Sequence, residues 1–476
     1  MLVLAACGAG QSLKLEIKAP CNATSLGSNG VAFVELRVES PDLESPFTAT
    51  FGVSDASGSL DGISLVTKAT IEVAGRGMGN NGSPGVALIA GGVGYIDLSS
   101  MTDTLGMIAG PVNSFVRTTS TRDGSCSEEP SGRWQHSSNR LSDGRVLVTG
   151  GSGDNGVLGD TELYAPADGT FSKGPNLAQA RTAHTGTTLK DGKVFIAGGI
   201  GLDGKAIATF EVFDGARFTV SKKMSARAHH SATRLTDGRV LLAGGDDSTD
   251  VLATSDIYDP SSGSIVKGPM LKIARARHTA VLVDDTAVAL IGGVSDDAVL
   301  ADTEFVDVDA GVSIAGPSLK TARSDAMSTF LSARGAIVVA GGFSSLVDEM
   351  ARGTATDSIE VIDVSVSYRT ATLACSDAKL IEAHAAAVFA DIPHGMLIAG
   401  GVSSPGQAST TAETLDFEAS PCRPTVNRTD GDLFASRYAG SAVVLASGDV
   451  LVTGGAGISK GTAVSRSASE LFIIER

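Results

Sequence analysis

The stretch Asp143–Asp154, "DGRVLVTGGSGD", combines an Asp-Gly turn, a short apolar run and a Gly-Gly pair. Close copies begin at Asp191, "DGKVFIAGGIGL", and at Asp237, "DGRVLLAGGDDS". An Asp-Gly pair is typical of a tight hairpin turn, and the apolar run after it is typical of a buried strand. The chain therefore repeats one β unit.

The Gly-Gly pair continues through the C-terminal three quarters of the chain at intervals of 46 to 59 residues. Around each pair the pattern predicts four short strands: a small-residue strand, the apolar strand, a strand that carries an acid, and a weaker outer strand. Seven such units predict a propeller of seven sheets. The pairs begin at Gly150, Gly198, Gly244, Gly292, Gly341, Gly400 and Gly454.

The unit length, the Gly-Gly pair, the acid after it and Tyr258-Asp259-Pro260 resemble the kelch superfamily, whose repeats have about 50 residues. The resemblance covers about residues 104 to 476. The last unit, "SASELFIIER", supplies a third strand and then stops. We therefore expect the segment from Gly106, "GMIAGPVNSFVRTT", to provide the fourth strand of the final sheet and close the ring.

The segment 13–100 lacks this unit, although it has a Gly-Gly pair at Gly91. Alternating apolar and polar residues in "LKLEIKAP", "VAFVELRVE", "FTATFGV" and "KATIEVAG" predict half-buried antiparallel strands. The expected fold is therefore all-β: a seven-bladed kelch-type β-propeller at 101–476, preceded by a small immunoglobulin-like β-sandwich at 13–100.

The first residues, "MLVLAACGAG", resemble a bacterial lipoprotein signal, in which small residues precede a cysteine that becomes lipidated. The resemblance implies lipidation at Cys7, with 1–12 as signal remnant and tether and with the start of translation farther upstream. Gly8 after the cysteine implies an outer-membrane lipoprotein of the bacterial cell envelope, facing the periplasm or the surface.

Four further cysteines remain, at positions 21, 126, 375 and 422. An even number in an oxidising compartment permits two disulfides. Cys375 and Cys422 lie near the fourth strands of consecutive units and are the first choice for a pair, with free buried thiols as the alternative. No cysteine spacing is typical of a zinc site.

Two columns recur with the unit. An Arg-x-x-His motif leads into the first strand at Arg133/His136, Arg181/His184, Arg227/His230 and Arg275/His278. Arg323 and Arg437 keep only the arginine, and His384 keeps only the histidine. The acid column holds Glu162, Glu211, Asp256, Glu304, Glu360, Glu413 and Glu470.

These columns permit two interpretations. They could form a ring of cations at the channel mouth that binds a metal or an anion. The favoured interpretation is structural: each arginine pairs with an acid of its blade and each histidine bonds a loop carbonyl, because packing groups must repeat with the fold. Acidic loops after the Gly-Gly pairs provide a candidate binding face with the columns, at Asp246, Asp247, Asp296 and Asp297; none has the spacing of a dedicated calcium loop.

The net charge is −16 and no cluster of lysine and arginine offsets it, which disfavours nucleic acid as a partner. We expect a monomeric, non-enzymatic binding protein that holds an envelope protein or a glycan, needs no cofactor and contacts the membrane only through its lipid. The kelch resemblance to galactose oxidase implies an alternative copper site of two tyrosines, two histidines and a cysteine, but Tyr164, Tyr258 and Tyr438 lack a suitably placed cysteine. A propeller sugar isomerase or hydrolase using the Arg, His and Glu columns is the other alternative.

Overall fold

The computed structural model describes residues 2–8, 11–18, 31–52, 69–78, 84–96, 104–118, 131–167, 169–219, 222–296, 298–346, 353–393, 395–459 and 462–474. Regular structure in these residues is β, apart from two single-turn 3-10 segments at Ser332–Arg334 and Tyr368–Thr370. The predicted all-β class is confirmed.

The N-terminal strands form one continuous seven-stranded sheet in the order β1-β2-β7-β6-β5-β3-β4. Within β7, residues Thr104–Ile108 pair in parallel with β2, whereas Ala109–Pro111 pair antiparallel with β6. β7 therefore connects the β1–β2 hairpin to the strands β3 to β6, and the sandwich stays a prediction. The strands are β1 (Leu2–Gly8), β2 (Gln11–Lys18), β3 (Phe33–Glu39), β4 (Phe47–Gly52), β5 (Ala69–Met78), β6 (Pro84–Ile96) and β7 (Thr104–Pro111).

Two boundaries differ from those expected. The segment predicted as a tether contains β1, which forms a hairpin with β2. The N-terminal sheet also extends beyond residue 100 through β7, so the first half of the segment from Gly106 belongs to this sheet. Only the next strand, β8 (Ser114–Arg117), joins the final propeller sheet.

The described residues from β8 onward form seven four-stranded antiparallel sheets, each with its first strand innermost. We call them blades 1 to 7. Blade 1 consists of β9 (Ser137–Arg140), β10 (Val146–Thr149), β13 (Thr161–Ala165) and β14 (Thr170–Lys173), with an added hairpin of β11 (Ser152–Gly153) and β12 (Gly156–Val157). Blade 2 consists of β15 (Thr185–Thr188), β16 (Val194–Ala197), β17 (Thr209–Phe213) and β18 (Lys222–Lys223). Blade 3 consists of β19 (Ser231–Arg234), β20 (Val240–Ala243), β21 (Ser255–Asp259) and β22 (Ser264–Lys267).

Blades 4 and 5 follow the same order. They consist of β23 (Thr279–Leu282), β24 (Ala287–Ile291), β25 (Thr303–Asp307) and β26 (Val312–Ala315); and of β27 (Met327–Leu331), β28 (Ala336–Ala340), β29 (Ser358–Asp363) and β30 (Thr372–Lys379).

Blades 6 and 7 each add a hairpin between their second and third main strands. They consist of β31 (Val388–Ile392), β32 (Gly395–Ala399), the hairpin β33 (Val402–Ser404) and β34 (Gln407–Ala408), β35 (Ala412–Asp416) and β36 (Thr425–Arg428); and of β37 (Ser441–Val444), β38 (Val450–Thr453), the hairpin β39 (Ala456–Ser459) and β40 (Thr462–Ser465), and β41 (Glu470–Ile473), completed by β8.

The core lies between the blades. Each neighbouring pair of blades encloses one apolar cluster, and the clusters follow one another around the ring until blade 7 packs on blade 1. The second strand of each blade is covered on both faces, which explains its uninterrupted apolar sequence. Ala90 of the N-terminal sheet joins the cluster between blades 7 and 1.

The first glycine of each pair lies where neighbouring backbones meet. Gly198 has φ +60°, and a Cβ there would come within 2.2 Å of the Arg227 carbonyl oxygen in the next blade. Both its conformation and its surroundings therefore require glycine. This close approach explains why the pair recurs with the unit.

Candidate functional site

The arginine column is structural. In the six blades that have it, one terminal nitrogen donates to the carbonyl of the first glycine of the blade's Gly-Gly pair, at 2.5 to 2.8 Å. Another guanidinium nitrogen meets an acid of the same blade, as in Arg181 Nη2–Glu211 Oε1 at 2.8 Å. These arginines are at most 1% exposed, so the column does not present its charges to solvent.

Blade 6 corrects the assignment of His384. Its Nδ1 lies 2.6 Å from the Gly400 carbonyl oxygen and its Nε2 lies 3.3 Å from Glu413. These are the partners that an arginine has in the other blades, so His384 occupies the arginine column and not the histidine column. The shorter imidazole reaches both groups because its two nitrogens lie on opposite sides of the ring.

The histidine column connects neighbouring blades. The Nε2 atoms of His136, His184, His230 and His278 lie 2.8 to 3.3 Å from serine or threonine hydroxyls of the preceding blade. The expected partner was a loop carbonyl. A hydroxyl replaces it because each ring lies against the inner strand of the neighbouring sheet.

These histidines are kept neutral. Burial is the largest cause and the positive charge of the arginine three residues earlier is the next, and together they lower the pKa of His184 and of His278 to about 3. The pKa values of His136 and His230 are lowered well below the usual value, again first by burial. A neutral imidazole suits the hydroxyl partner.

A closed circuit of backbone hydrogen bonds surrounds the channel just before the histidine column. Seven described residues, one from each blade, each donate an N–H to the carbonyl of the equivalent residue in a neighbouring blade, at 2.8 to 3.2 Å. All have φ between 48° and 55°. We call them the ring residues: Gln135, Ala183, His229, Arg277, Asp325, Ala386 and Ala439.

The ring residues line a cavity of about 1000 Å³ at the channel mouth, on the face that carries the Gly-Gly loops. One side of the cavity is apolar and is formed by blades 5 to 7 and blade 1. There Phe343, Tyr438 and Trp134 belong to one cluster with the small residues Ala386 and Ala463. We call this the apolar side.

The blades of the apolar side carry the two-stranded hairpins. In the described residues, two-stranded hairpins after the Gly-Gly pair occur in blades 6, 7 and 1, which are consecutive around the ring. The hairpin of blade 7 lies between the other two, and Ser465 N–H donates to the carboxylate of Asp154 at 2.8 Å. In blades 2 to 5 a single bridge spans the loop after the Gly-Gly pair instead.

The opposite side of the cavity is polar and comes from three consecutive ring residues of blades 3 to 5, one of which is held by Asp246 from the loop after the Gly-Gly pair of blade 3. His229 Nδ1 lies 2.8 Å from Asp246 Oδ2, and both side chains are 25% exposed. Arg277 Nε lies 3.0 Å from the Asp325 carboxylate, with exposures of 27% and 20%. We call these four residues the polar side.

Sequence analysis missed three of the four residues of the polar side. His229 and Arg277 directly precede the column histidines, and Asp325 precedes the alanine that replaces the histidine in blade 5, so all three lie outside the two repeating columns. The signal was available: the corresponding positions of blades 2, 6 and 7 are alanines, Ala183, Ala386 and Ala439. The polar side therefore lies where the ring position departs from the repeat.

Carboxylates of the acidic loops accept hydrogen bonds from backbone N–H groups of these loops. Asp247 Oδ1 accepts the N–H groups of Thr249 and Asp250, and Asp296 accepts the N–H of Val251 in the preceding blade. Asp246 belongs to the polar side, whereas Asp297 lies outside the described residues. In the described part of the chain no three His, Cys, Asp or Glu side chains are arranged to hold a metal ion.

Cys375 and Cys422 form a disulfide with a Cα–Cα distance of 5.8 Å, which is the pair ranked first from sequence. It joins the outer edges of blades 5 and 6. Cys21 and Cys126 lie outside the described residues, and for Cys7 only the backbone in β1 is described. Among the described residues, no helix is long and apolar enough to cross a membrane.

The residues do not fit the copper site that the galactose oxidase resemblance implies. Tyr164 packs on Phe171 between blades 7 and 1, and Tyr258 stacks on Phe195 between blades 2 and 3. Only Tyr438 lies at the cavity. The column histidines direct Nε2 to hydroxyls, so these tyrosines and histidines do not converge on one point.

No protein-family model matches the chain, and no curated protein matches it by sequence. Among solved structures it is similar to a fungal alcohol oxidase of the AA5 family in complex with copper, with 15% identity over 76% of this chain and 75% of that one, at a TM-score of 0.58. It also aligns with YjhT, with 12% identity over 64% of this chain and 99% of that one, at a TM-score of 0.47. At this identity, the likeness to the oxidase shows a shared galactose oxidase-like propeller fold and nothing about activity.

Proposed function

We propose that this protein is a non-enzymatic binding protein that holds part of a protein or glycan ligand in the cavity at its channel mouth. The observation that supports this most directly is the two-sided cavity, with aromatic and small residues on one side and fixed polar groups on the other. Concave sites of this composition are typical of ligand binding.

The columns support binding over catalysis by the repeating residues. Six arginines are engaged by glycine carbonyls and acids inside their own blades, and Glu211, Glu360, Glu413 and Glu470 are fully buried. A substrate at the channel mouth cannot reach these groups. This argues against a sugar isomerase or hydrolase that uses the arginine and acid columns.

A capture experiment tests the proposal. The full chain would be presented to a glycan array and to solubilised bacterial envelope proteins, together with Trp134→Ala in the cavity and Val366→Ser on the opposite face, where Val366 is 89% exposed. We expect one ligand to be retained by the wild type and by Val366→Ser and to be lost with Trp134→Ala. Equal retention by all three proteins would place binding outside the cavity and contradict the proposal.

We also propose that Cys7 carries a lipid and anchors the chain to the outer membrane of a bacterial envelope. The support is the small-residue and cysteine pattern "LAAC". The protein would be expressed from its native gene in a Gram-negative host, and Cys7→Ser would be the variant. We expect detergent-soluble wild type and water-soluble variant; a wild type that is water-soluble without detergent would refute the anchor.

The likeness to a copper alcohol oxidase motivates one further measurement. The copper content of the purified protein, measured after copper loading and dialysis against a chelator, distinguishes a copper oxidase from a non-enzymatic binding protein. A binding protein without a copper site retains no copper after this treatment. One tightly held copper per chain, with a visible absorbance that develops on oxidation, would reverse our ranking of the functions.

A further inference from the structure

Two side chains of the polar side, His229 and Arg277, are each held in place by a carboxylate. They occupy neighbouring ring positions, since Arg277 N–H donates to the His229 carbonyl at 2.9 Å and Asp325 N–H donates to the Arg277 carbonyl at 2.9 Å. Both side chains line the same cavity. The other blades have Gln135 or alanine at this position, so the pair exists only once.

Arg277 is oriented by Asp325 through Nε, which lies 3.0 Å from the carboxylate. Within the described residues, Asp325 is the only hydrogen-bond partner of this guanidinium, so both terminal nitrogens remain for a ligand. A guanidinium edge with two parallel N–H groups matches a carboxylate, which it binds through two hydrogen bonds.

His229 is oriented by Asp246. Because an ionised carboxylate only accepts hydrogen bonds, Nδ1 of His229 donates to Asp246 Oδ2, and in a neutral imidazole this tautomer makes Nε2 an acceptor. Asp246 is itself held, since its Oδ1 accepts the Ser248 N–H at 3.3 Å and Ser248 Oγ accepts the Ala206 N–H at 2.6 Å. The ring therefore offers the cavity an acceptor that seeks a hydroxyl.

Across the cavity, the apolar side presents Trp134 and Tyr438. Aromatic side chains in a part-buried position bind the flat apolar face of a ligand and exclude water from the polar contacts beside it. An inorganic anion would leave this side unused.

We propose that the cavity binds a small hydroxy-carboxylate with an apolar face: its carboxylate meets the terminal nitrogens of Arg277, its hydroxyl donates to Nε2 of His229, and its apolar face lies on Trp134 and Tyr438. This inference rests on the proposed ligand-binding function of the cavity and names the chemical class that the function takes. The ligand group can be free or can be the end of a larger glycan or peptide.

The test uses mandelate as the probe, since it combines an aromatic ring, a hydroxyl and a carboxylate. Titration calorimetry and saturation-transfer NMR on the full chain would compare it with mandelamide, which lacks the charge, with phenylacetate, which lacks the hydroxyl, and with inorganic phosphate. We expect mandelate to bind at least about tenfold more tightly than each of the other three, as expected when a charged or fixed hydrogen bond is lost.

Variants assign the contacts. Arg277→Lys should reduce the preference for mandelate over mandelamide by about tenfold, because lysine loses the two-point contact but keeps the charge beside Asp325. Asp246→Asn should reduce the preference over phenylacetate, because it removes the group that orients His229. Arg217→Lys is the control, since Arg217 is on the outer part of blade 2 and its side chain is 85% exposed. Unfolding curves would verify that each variant folds.

The outcomes separate this inference from the proposed function. Binding of an array glycan or envelope protein that depends on Trp134 but not on Arg277, with no preference for mandelate, would overturn the hydroxy-carboxylate class and leave the binding function. Equal affinities for phosphate and mandelate would show that the site only binds anions, and would also overturn the proposed hydroxy-carboxylate class. No binding of any probe or array ligand would overturn both.

Discussion

Arg227 and Asp256 form an ion pair inside blade 3, with 2.9 Å between Nη2 and Oδ2 and at most 1% exposure of either side chain. Arg227 also donates to the Gly244 carbonyl, and thereby joins the third strand of the blade to the end of its second strand. The same arrangement in other blades shows that the repeating charges hold each sheet together at the end where the chain crosses to the next blade.

Removing the arginine should be costly. We expect Arg227→Ala to lower the free energy of unfolding by about 3–5 kcal/mol, because it leaves Asp256 buried without its main countercharge and leaves the Gly244 carbonyl unpaired. Urea unfolding followed by circular dichroism measures this. The double variant Arg227→Met/Asp256→Leu should lose less than the single variant; a larger loss would show that the arginine matters for reasons other than the pair.

Closure of the ring depends on a contact between the two ends of the propeller. Phe115 of β8 lies against Phe472 of β41, with ring centroids 5.1 Å apart, and both are buried. We expect Phe115→Ala to lower the free energy of unfolding by about 3–5 kcal/mol through the cavity that it leaves. Leu202→Ala, at a side chain that is 77% exposed, should change it by no more than about 0.5 kcal/mol. Equal effects of the two substitutions would contradict a closing strand.

The ring residues have left-handed backbone conformations that favour glycine. Ala183 has φ 52°, so Ala183→Gly should leave the free energy of unfolding unchanged or raise it by up to about 1 kcal/mol, whereas Ala183→Val should lower it by about 1–3 kcal/mol. Ala232→Gly, in the regular strand β19, is the control and should be destabilising by about 0.5–1 kcal/mol. Thermal melts of the three variants rank them; a destabilised Ala183→Gly would contradict the described conformation.

Acid should unfold the protein partly through its buried histidines. The pKa of His184 and of His278 is about 3 in the folded protein, whereas the unfolded groups titrate near 6.5. The unfolded state therefore binds more protons below pH 6.5, and stability falls as the pH drops from about 6.5 towards 3. Each histidine contributes a slope of about 1.4 kcal/mol per pH unit within this window.

Urea unfolding between pH 7 and pH 4.5 measures that slope, in a range where most carboxylates remain ionised. Replacing His278 by Gln should remove one histidine's share of the slope, even if it lowers stability at pH 7. An unchanged slope in His278→Gln would show that this imidazole is protonated in the folded protein.

Much of this architecture could be predicted from local pattern, because each unit repeats the same solution to the same packing problem. The apolar run before Gly198 is explained by burial on both faces of its strand, and Gly198 is explained by a close neighbouring backbone and a positive φ. The pairing of β8 with β41 followed from counting strands. The disulfide partners followed from the position of the two cysteines near the outer strands of consecutive units.

Local pattern was less informative where contacts join distant segments. The N-terminal strands were recognised, but whether they form one sheet or two depends on β7, whose partners lie on β2 and β6. The prediction that His384 belongs to the histidine column is wrong, because the sequence shows only the residue type and not its hydrogen-bond partners. Its hydrogen bonds to Gly400 and Glu413 identify it as the substitute for an arginine.

The sequence by itself determined the repeating blade, the all-β class and the residues that hold each blade together, because burial, turn geometry and close packing impose the same residue types in every copy. Only the tertiary structure decided where a ligand could lie. His229, Asp246, Arg277 and Asp325 come from three blades, and Trp134 and Tyr438 from two others. Five of them line one cavity, and Asp246 supports it through His229, because the ring closes. Closure is a relation between distant parts of the chain that no local pattern encodes.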